Sequence, residues 1–560
     1  MNLFNKHNRT LKFACKTILT RESWSAFADS PANHPQGTER QIKAEADFTA
    51  LLGRYFEIDQ PGTIGQLGSE ISPYTLEPLG VQYPHADLDC LFVSATESLP
   101  AWRDASIETR IGVLIEALER LYENVFLIAK AAQHTTGQSL AMSYAGSGVN
   151  ALDRGLEAIA QAWIAMRQVP PTALWTRQFG KQTISLNKSY RIIPRGVAVC
   201  FCCASFPTWN AYPSIFASLA TGNPVIVKPH PGAVLPMALS VRVIRQVLAE
   251  AGFSPNLVTF ALDSTETLIG KALVKHPQTA IVDFTGSVAF GAWVEANAYP
   301  AICFTETAGI NSVIIDSTDD LEGMLRSLAT TMCMFSAQMC TSPQNFYLPK
   351  TGIRVGRGDA IYHLSYNELT SKLCDAVSNL TQDPARCASI LATIQSDATL
   401  LMLDQLEADT RQLGRVLLSH RRYTHPEYPS ARTSTPLIVE VPVEHADIYA
   451  GERFGPVAFI IPCNDTQEAL ARACSDVKQH GGITAYVYST DEWFIEEAEQ
   501  SYATVGAQLT INLTGSMPLN FAAAYSDYHV SGLNPSGTAT LTDISFVGSR
   551  FHIAQSRRPA

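Results

Sequence analysis

The sequence has no long apolar run. Although 46% of its 560 residues are hydrophobic, nowhere do they approach the ~20 consecutive positions that a membrane-spanning helix needs. Nor is there an excess of positive charge: 41 Lys and Arg stand against 52 Asp and Glu, a net charge of −11. That balance opposes association with nucleic acid or anionic lipid, so neither nucleic acid nor a membrane is expected as a partner. Cysteine is sparse and irregular, twelve in all, far below the density of a disulfide scaffold. Cys200, Cys202 and Cys203 lie close together, but they end the apolar run Val197-Ala198-Val199 and have no second Cys or His pair nearby to complete a zinc site. They are read as buried strand thiols, and no metal is expected. Reduced thiols point to a cytoplasmic location. Also missing are internal repeats, low-complexity tracts, a secretory apolar core and the GxGxxG fingerprint of an ordinary dinucleotide-binding turn. The first 21 residues carry five basic side chains and no acid, as a transit peptide does. The near-helical spacing of Leu3, Phe4, Leu11 and Ala14 favours a surface helix instead.

What is present suits an enzyme acting on small molecules. The length allows three or four structural units. Residues 1–90 mix short helical stretches with a Pro/Gly-rich section from Gln60 to Tyr74 and read as an extended arm without a core of its own. From Leu99 to Arg167 the spacing of Trp102, Ile111, Leu114, Leu118 and Leu121 is helical. Residues 172–192 turn to strand formers around Gly180-Lys181, a hairpin pattern. Strand-like and helical stretches then alternate four times: Val197 to Phe201 with Ser214 to Ala220, Val225 to Val227 with Leu235 to Ala251, Val258 to Phe260 with Glu266 to Val274, and Ala280 to Phe284 with a helix after Ser287. Such alternation predicts a parallel, doubly wound α/β layer whose ligand lies beyond the carboxyl ends of the strands. A second α/β portion is expected to about Gly481, and a C-terminal stretch with short β runs from Ala507.

Four places carry candidate chemistry. Gly286-Ser287 joins a buried strand to a helix, where backbone N–H groups can approach a phosphate. Lys228 ends another strand; Glu306 follows the apolar run Ala301 to Phe304; Cys340 sits among small residues in Ser336-Ala337-Gln338-Met339-Cys340-Thr341-Ser342. Singly, each has a plain structural reading: a turn glycine, a solvated lysine, a solvated strand end, one thiol among twelve. Their order and spacing change the weighting. Trp209-Asn210 with Pro213, Gly222 to Pro229, Phe284 to Ser287, Glu306 with Gly309, Gln338-Met339-Cys340 and Glu452 to Val457 follow one another in a single series.

This series resembles the aldehyde dehydrogenase superfamily over roughly residues 95–530. The resemblance implies an α/β fold with a Rossmann-type doubly wound cofactor domain (residues 91–171 and 193–305), an α/β catalytic domain (306–481) and a small β oligomerisation element (172–192 and 507–560). It implies Cys340 as nucleophile, Glu306 as general base and Asn210 as oxyanion donor. Trp209, Lys228, His230, Gly286, Ser287, Glu452 and Phe454 would contact the cofactor, NADP or NAD. A small-molecule aldehyde and a homodimer or larger homo-oligomer are the implied partners. The expected chemistry is attack by the sulfur, removal of hydride and hydrolysis of a thioester with Glu306 activating water. Two departures matter. The usual Glu-Leu-Gly-Gly reads Glu306-Thr307-Ala308-Gly309, and the glutamate that NAD-preferring members place three residues after the lysine is Pro231. Without that carboxylate a 2′-phosphate is tolerated, with His230 to assist, so NADP is favoured over NAD.

The ends of the chain narrow the resemblance. Ile58 to Gly62, Glu70 to Tyr74, Phe206 to Asn210, Lys228 to Gly232 and Ser549 to Arg558 are similar to the PaaN family of phenylacetic-acid degradation proteins. That implies a coenzyme A-linked semialdehyde of phenylacetate catabolism as substrate, with no hydratase-like domain appended. Two other readings are a coenzyme A-acylating dehydrogenase, whose members generally lack the glutamate, and a catalytically silent dehydrogenase fold with a structural or binding role.

Overall fold

Val197–Phe201 is an unbroken apolar strand, buried at every position, as expected where both faces of a parallel sheet are covered. In the computed structural model, which describes residues 2–263, 266–515, 519–533, 535–537 and 541–560, it is the middle of a five-stranded parallel sheet. The order is Val258–Phe260, Val225–Lys228, Val197–Phe201, Thr279–Gly286 and Ile302–Thr307. Helices run between the strands. Pro207–Ala220 starts seven residues before the expected Ser214, because Pro207 occupies the first turn, where a missing N–H costs nothing. The expected helix at Glu266 is shorter, Gly270–Lys275. The chain order of the strands reverses beside Val197–Phe201, the crevice where such sheets bind ligands.

A second sheet has seven strands, in the order Arg415–Leu418, Leu437–Glu440, Val457–Cys463, Pro343–Pro349, Asn311–Ile315, Thr484–Tyr488 and Gln508–Ile511. All its pairings are parallel except that of Arg415–Leu418 with Leu437–Glu440. Apolar clusters cover both faces, one around Leu328, Phe346 and Leu373 and the other around Tyr347, Phe459 and Ala473. The boundary expected at Gly481 is corrected: two strands beyond it complete this sheet. The boundary before Glu306 also moves, since Glu306 lies within Ile302–Thr307, the edge strand of the five-stranded sheet.

Residues 1–90 are not an extended arm. Leu3–Thr20 and Gly37–Leu51 are helices, and Leu11, Ala14, Ile18 and Phe48 join the same apolar cluster as the helices under the five-stranded sheet. Spaced apolar residues gave the first helix a buried stripe, which outweighs its basic composition. The hairpin appears as Thr172–Phe179 and Gln182–Pro194, and the C-terminal strand Phe551–Pro559 adds to it as a three-stranded ribbon. Among the described residues, no helix is long and apolar enough to cross a membrane.

Candidate active site

Cys340 is presented by a strained turn. Phe335, Ser336 and Ala337 have φ of 49°, 50° and 52°, a left-handed conformation costly for residues with a Cβ. The surroundings hold the turn in place. Gln338 donates to the carbonyls of Phe335 (3.1 Å) and Thr393 (2.8 Å) and accepts from Gln395 N–H (2.9 Å). Asn311 Nδ2 donates to the carbonyls of Cys340 and Ser342, both at 2.8 Å. Gly309 is needed for close packing here, since a Cβ would lie 2.3 Å from the Gly481 carbonyl oxygen.

Three distant segments converge on the sulfur. Asn210, on the helix Pro207–Ala220, donates from Nδ2 to Glu306 Oε2 at 2.7 Å. Glu306 Oε1 lies 2.7 Å from His529 Nε2, and the same nitrogen is 3.7 Å from Cys340 Sγ. One side-chain atom each of Glu306, Cys340 and His529 falls within 4.8 Å of the other two. Cys203 Sγ reaches Asn210 Oδ1 at 3.5 Å, so this thiol, read as a strand residue, belongs to the network; it stands just past the strand end at Phe201. His529 was not anticipated. It lies in an irregular C-terminal segment, and the isolated Tyr528-His529-Val530 carries no periodic signal. Burial first, then the charges of Glu306, Cys203 and Glu452, push the Cys340 thiol well above the ordinary thiol range.

Cys340, Asn210 and His529 open onto a cavity of about 470 Å³ walled by Met142, Phe206, Trp209, Met334, Phe335 and Phe521. Trp209 therefore stands in the wall of this cavity, its Nε1 donating to Asn150 Oδ1 at 2.7 Å and its ring edge-on to His529. A neighbouring cleft is formed by Gly309, Ser342, Glu452, Arg453 and Phe454. The cleft offers polar groups without partners. Ser342 Oγ is buried and unbonded among the described residues, and burial pushes Glu452 up to about 7.

The remaining expected cofactor residues lie at strand ends of the five-stranded sheet. Gly286 ends its strand opposite Thr307, one residue from Glu306. Ser287 caps the helix Val288–Asn297, whose N-terminal N–H groups suit a phosphate. Lys228 Nζ makes a 2.7 Å ion pair with the buried Asp263. His230 accepts from Gly232 N–H at 3.1 Å, and burial with the nearby Lys228 charge lowers it to about 4.

The chain matches the model of the aldehyde dehydrogenase family over residues 68–520. It is 25% identical to aldehyde dehydrogenase LUC3 of a Fusarium species over 425 residues, 74% of this chain and 80% of that protein. Its structure superposes on the crystal structure of an NAD-dependent aldehyde dehydrogenase from Burkholderia multivorans with a TM-score of 0.96 and 41% identity, covering 100% of this chain and 99% of the other. A 1-pyrroline-5-carboxylate dehydrogenase of Thermus with bound NAD shares the fold at a TM-score of 0.76 and 18% identity, covering 96% and 99% of the two chains.

Proposed function

The chain belongs to the aldehyde dehydrogenase family, and from that premise we propose that it oxidises an apolar aldehyde to the free carboxylic acid through a thioester on Cys340. One observation carries this reading: Cys340, Glu306 and Asn210, far apart in sequence, meet beside a single apolar cavity. The sulfur attacks the carbonyl carbon. Asn210 Nδ2 has two hydrogens; one serves Glu306 and the other is available to the developing oxyanion, an interaction worth ~3 kcal/mol when preorganised. A dinucleotide held at the neighbouring cleft would supply a hydride acceptor, so that loss of the aldehyde hydrogen with its electron pair would leave a thioester on Cys340. Glu306 then takes a proton from the water that attacks the thioester, and the sulfur leaves. A coenzyme A-acylating outcome is disfavoured by that carboxylate.

The residues at this cleft suit a dinucleotide: Glu452 and the unpartnered Ser342 hydroxyl would offer acceptors and a donor to ribose hydroxyls, Phe454 would lie by the ring, and Gly286 with Ser287 would hold the pyrophosphate. For the adenosine end we propose NAD. Pro231 removes the expected repulsion of a 2′-phosphate, which favours NADP on sequence grounds. The charge of Lys228, however, is already neutralised by Asp263, and His230 is neutral near pH 7. A 2′-phosphate would meet a carboxylate instead of a free cation.

The cavity wall carries no Lys, Arg, Asp or Glu among the described residues, which supports an uncharged, apolar acyl group. The finer proposal, supported by the similarity of the chain's ends to the PaaN family, is the coenzyme A-linked semialdehyde of phenylacetate breakdown, of which only the apolar aldehyde arm would enter this cavity and the charged coenzyme A would lie outside it. The three-stranded ribbon, with Leu174 and Ile553 exposed, supports assembly into a homo-oligomer. The test is reduced-dinucleotide formation from aldehydes of increasing apolar bulk, with NAD or NADP, with and without coenzyme A. Free acid made equally well without coenzyme A is expected. Acyl-coenzyme A as the sole product would overturn the hydrolytic reading, and turnover with NADP alone would overturn the cofactor assignment.

A further inference from the structure

We propose that His529 is a positioning residue for the hydrolytic step, its Nε2–H holding the Glu306 carboxylate beside the carbon that a thioester on Cys340 would present. The proposal rests on the reading of Glu306 as base and adds what fixes that base in place. His529 Nε2 lies 2.7 Å from Glu306 Oε1, and Asn210 Nδ2 lies 2.7 Å from Oε2. An ionised carboxylate can only accept, so the hydrogen of the first contact sits on Nε2. The sulfur of Cys340 is 3.7 Å from the same nitrogen, a longer contact to a weaker acceptor, so the hydrogen points to the carboxylate. Each oxygen of Glu306 thus has one N–H donor. A donor on one oxygen alone leaves a carboxyl group free to swing about that contact; a donor on each fixes both its position and its rotation. Both oxygens keep a further lone pair, where an attacking water can leave its proton. A Glu306 oxygen is within 4.8 Å of Cys340 Sγ, a gap that one water, ~3 Å from the carboxylate, closes on its way to the carbon bonded to that sulfur.

The surroundings of the imidazole fit this single task. The His529 and Glu306 side chains are 1% and 2% exposed, and a buried carboxylate is costly unless donors satisfy it. Nδ1 has no partner among the described residues, so Glu306 receives the ring's one short hydrogen bond. The ring itself is held by aromatic and backbone contacts. Trp209 meets it edge-on at 4.7 Å between centroids, and Trp209 is fixed in turn by the bond from its Nε1 to Asn150. The His529 carbonyl accepts from the N–H of Leu541 at 3.1 Å. Trp209 and Asn210 are neighbours on the helix Pro207–Ala220. Both donors are therefore referenced to one element, Asn210 directly and His529 through the tryptophan ring, and the base is set against the same helix that presents the oxyanion donor.

The experiment separates thioester formation from hydrolysis by stopped flow, following reduced dinucleotide with an apolar aldehyde and NAD in His529→Phe, His529→Asn and His529→Gln. Phenylalanine keeps a ring against Trp209 but has no N–H. Glutamine carries its amide nitrogen as many bonds from the backbone as Nε2, whereas that of asparagine stands one bond short. The Phe and Asn variants are expected to release one equivalent of reduced dinucleotide in a burst at the wild-type rate and then turn over at least about tenfold more slowly. Their kcat and KM fall together, so that kcat/KM is kept. The Gln variant is expected to recover most of the turnover. In a Glu306→Gln background none of the three is expected to slow turnover further, because the group they act through is gone. Wild-type turnover in the Phe and Asn variants, an equal loss in Gln and Phe, or a burst slowed as much as turnover would each overturn the proposal. If no variant folds, a neutron crystal structure of the wild type decides: deuterium on Nε2 directed at Glu306 supports it, and deuterium on Nδ1 alone overturns it. Failure of the base reading shows separately, as undiminished turnover in Glu306→Gln with His529 intact.

Discussion

Glu306 receives Asn210 Nδ2 on one oxygen and faces His529 Nε2 with the other, so removing its basicity while keeping its shape isolates the hydrolytic step. Glu306→Gln is expected to form the thioester, release one equivalent of reduced dinucleotide in a burst, and then turn over roughly 10²–10⁴-fold more slowly. Stopped-flow absorbance reads this directly; a linear trace at the wild-type rate would remove Glu306 as the base. Glu452 gives a second expectation. Burial raises its carboxyl to about 7, so below that pH it is neutral and a poorer acceptor for ribose hydroxyls. Dinucleotide affinity is therefore expected to rise as pH climbs through about 7, and Glu452→Gln to flatten that dependence in a fluorescence titration.

The strand–helix alternation was legible because it rests on local periodicity, as in Val225–Lys228 and Leu235–Glu250. The N-terminal region was not, because its function is non-local. Glu70 lies in an irregular stretch, yet its Oε1 accepts from the N–H groups of Val234 and Leu235 at 2.6 and 2.9 Å, capping the helix Leu235–Glu250, while Oε2 accepts from Tyr83. No spacing rule reaches across the 164 positions that separate Glu70 from Val234. Glu70→Ala leaves these donors buried and unpaired, and a loss of about 1–3 kcal/mol is expected in denaturant unfolding. Its pH dependence has a definite sign. Burial raises Glu70 from the ordinary 4.5 to about 7 in the folded chain, so the fold binds this proton more tightly than the unfolded chain does. That contribution is complete below about 4.5 and lost as pH rises through about 7. Glu70→Gln is expected to flatten this part of the Tm profile.

In the molecule as a whole, the C-terminal strand is tied to the cofactor layer by a buried charge pair. Arg550 makes a two-pronged contact with Asp283, at 2.8 and 2.5 Å, on the strand Thr279–Gly286, and donates to Ser218 Oγ at 2.7 Å. Arg550→Ala strands the Asp283 carboxylate and is expected to cost roughly 3–5 kcal/mol. Beyond that anchor the ribbon is exposed, and Leu174→Glu with Ile553→Glu is expected to lower the mass seen by light scattering if the ribbon joins subunits; an unchanged oligomer would move the interface elsewhere. The same long-range closure explains what sequence reading of the site found and missed. Cys340, Glu306 and Asn210 stand in ordered motifs next to strands or helices. His529 reaches them from an irregular segment, with Trp209 edge-on to its ring and a backbone bridge to Leu541, and Asp263 acquires its meaning only when the fold brings it to Lys228.

The most direct measurement is the mass of the enzyme itself during turnover. Glu306→Gln, mixed with an apolar aldehyde and NAD and quenched in acid, is expected to gain the mass of one acyl group, lost on hydroxylamine treatment and mapping to the peptide that contains Cys340. An enzyme that forms reduced dinucleotide with no such adduct, or a Cys340→Ala variant that forms it at the wild-type rate, would contradict covalent catalysis at this cysteine.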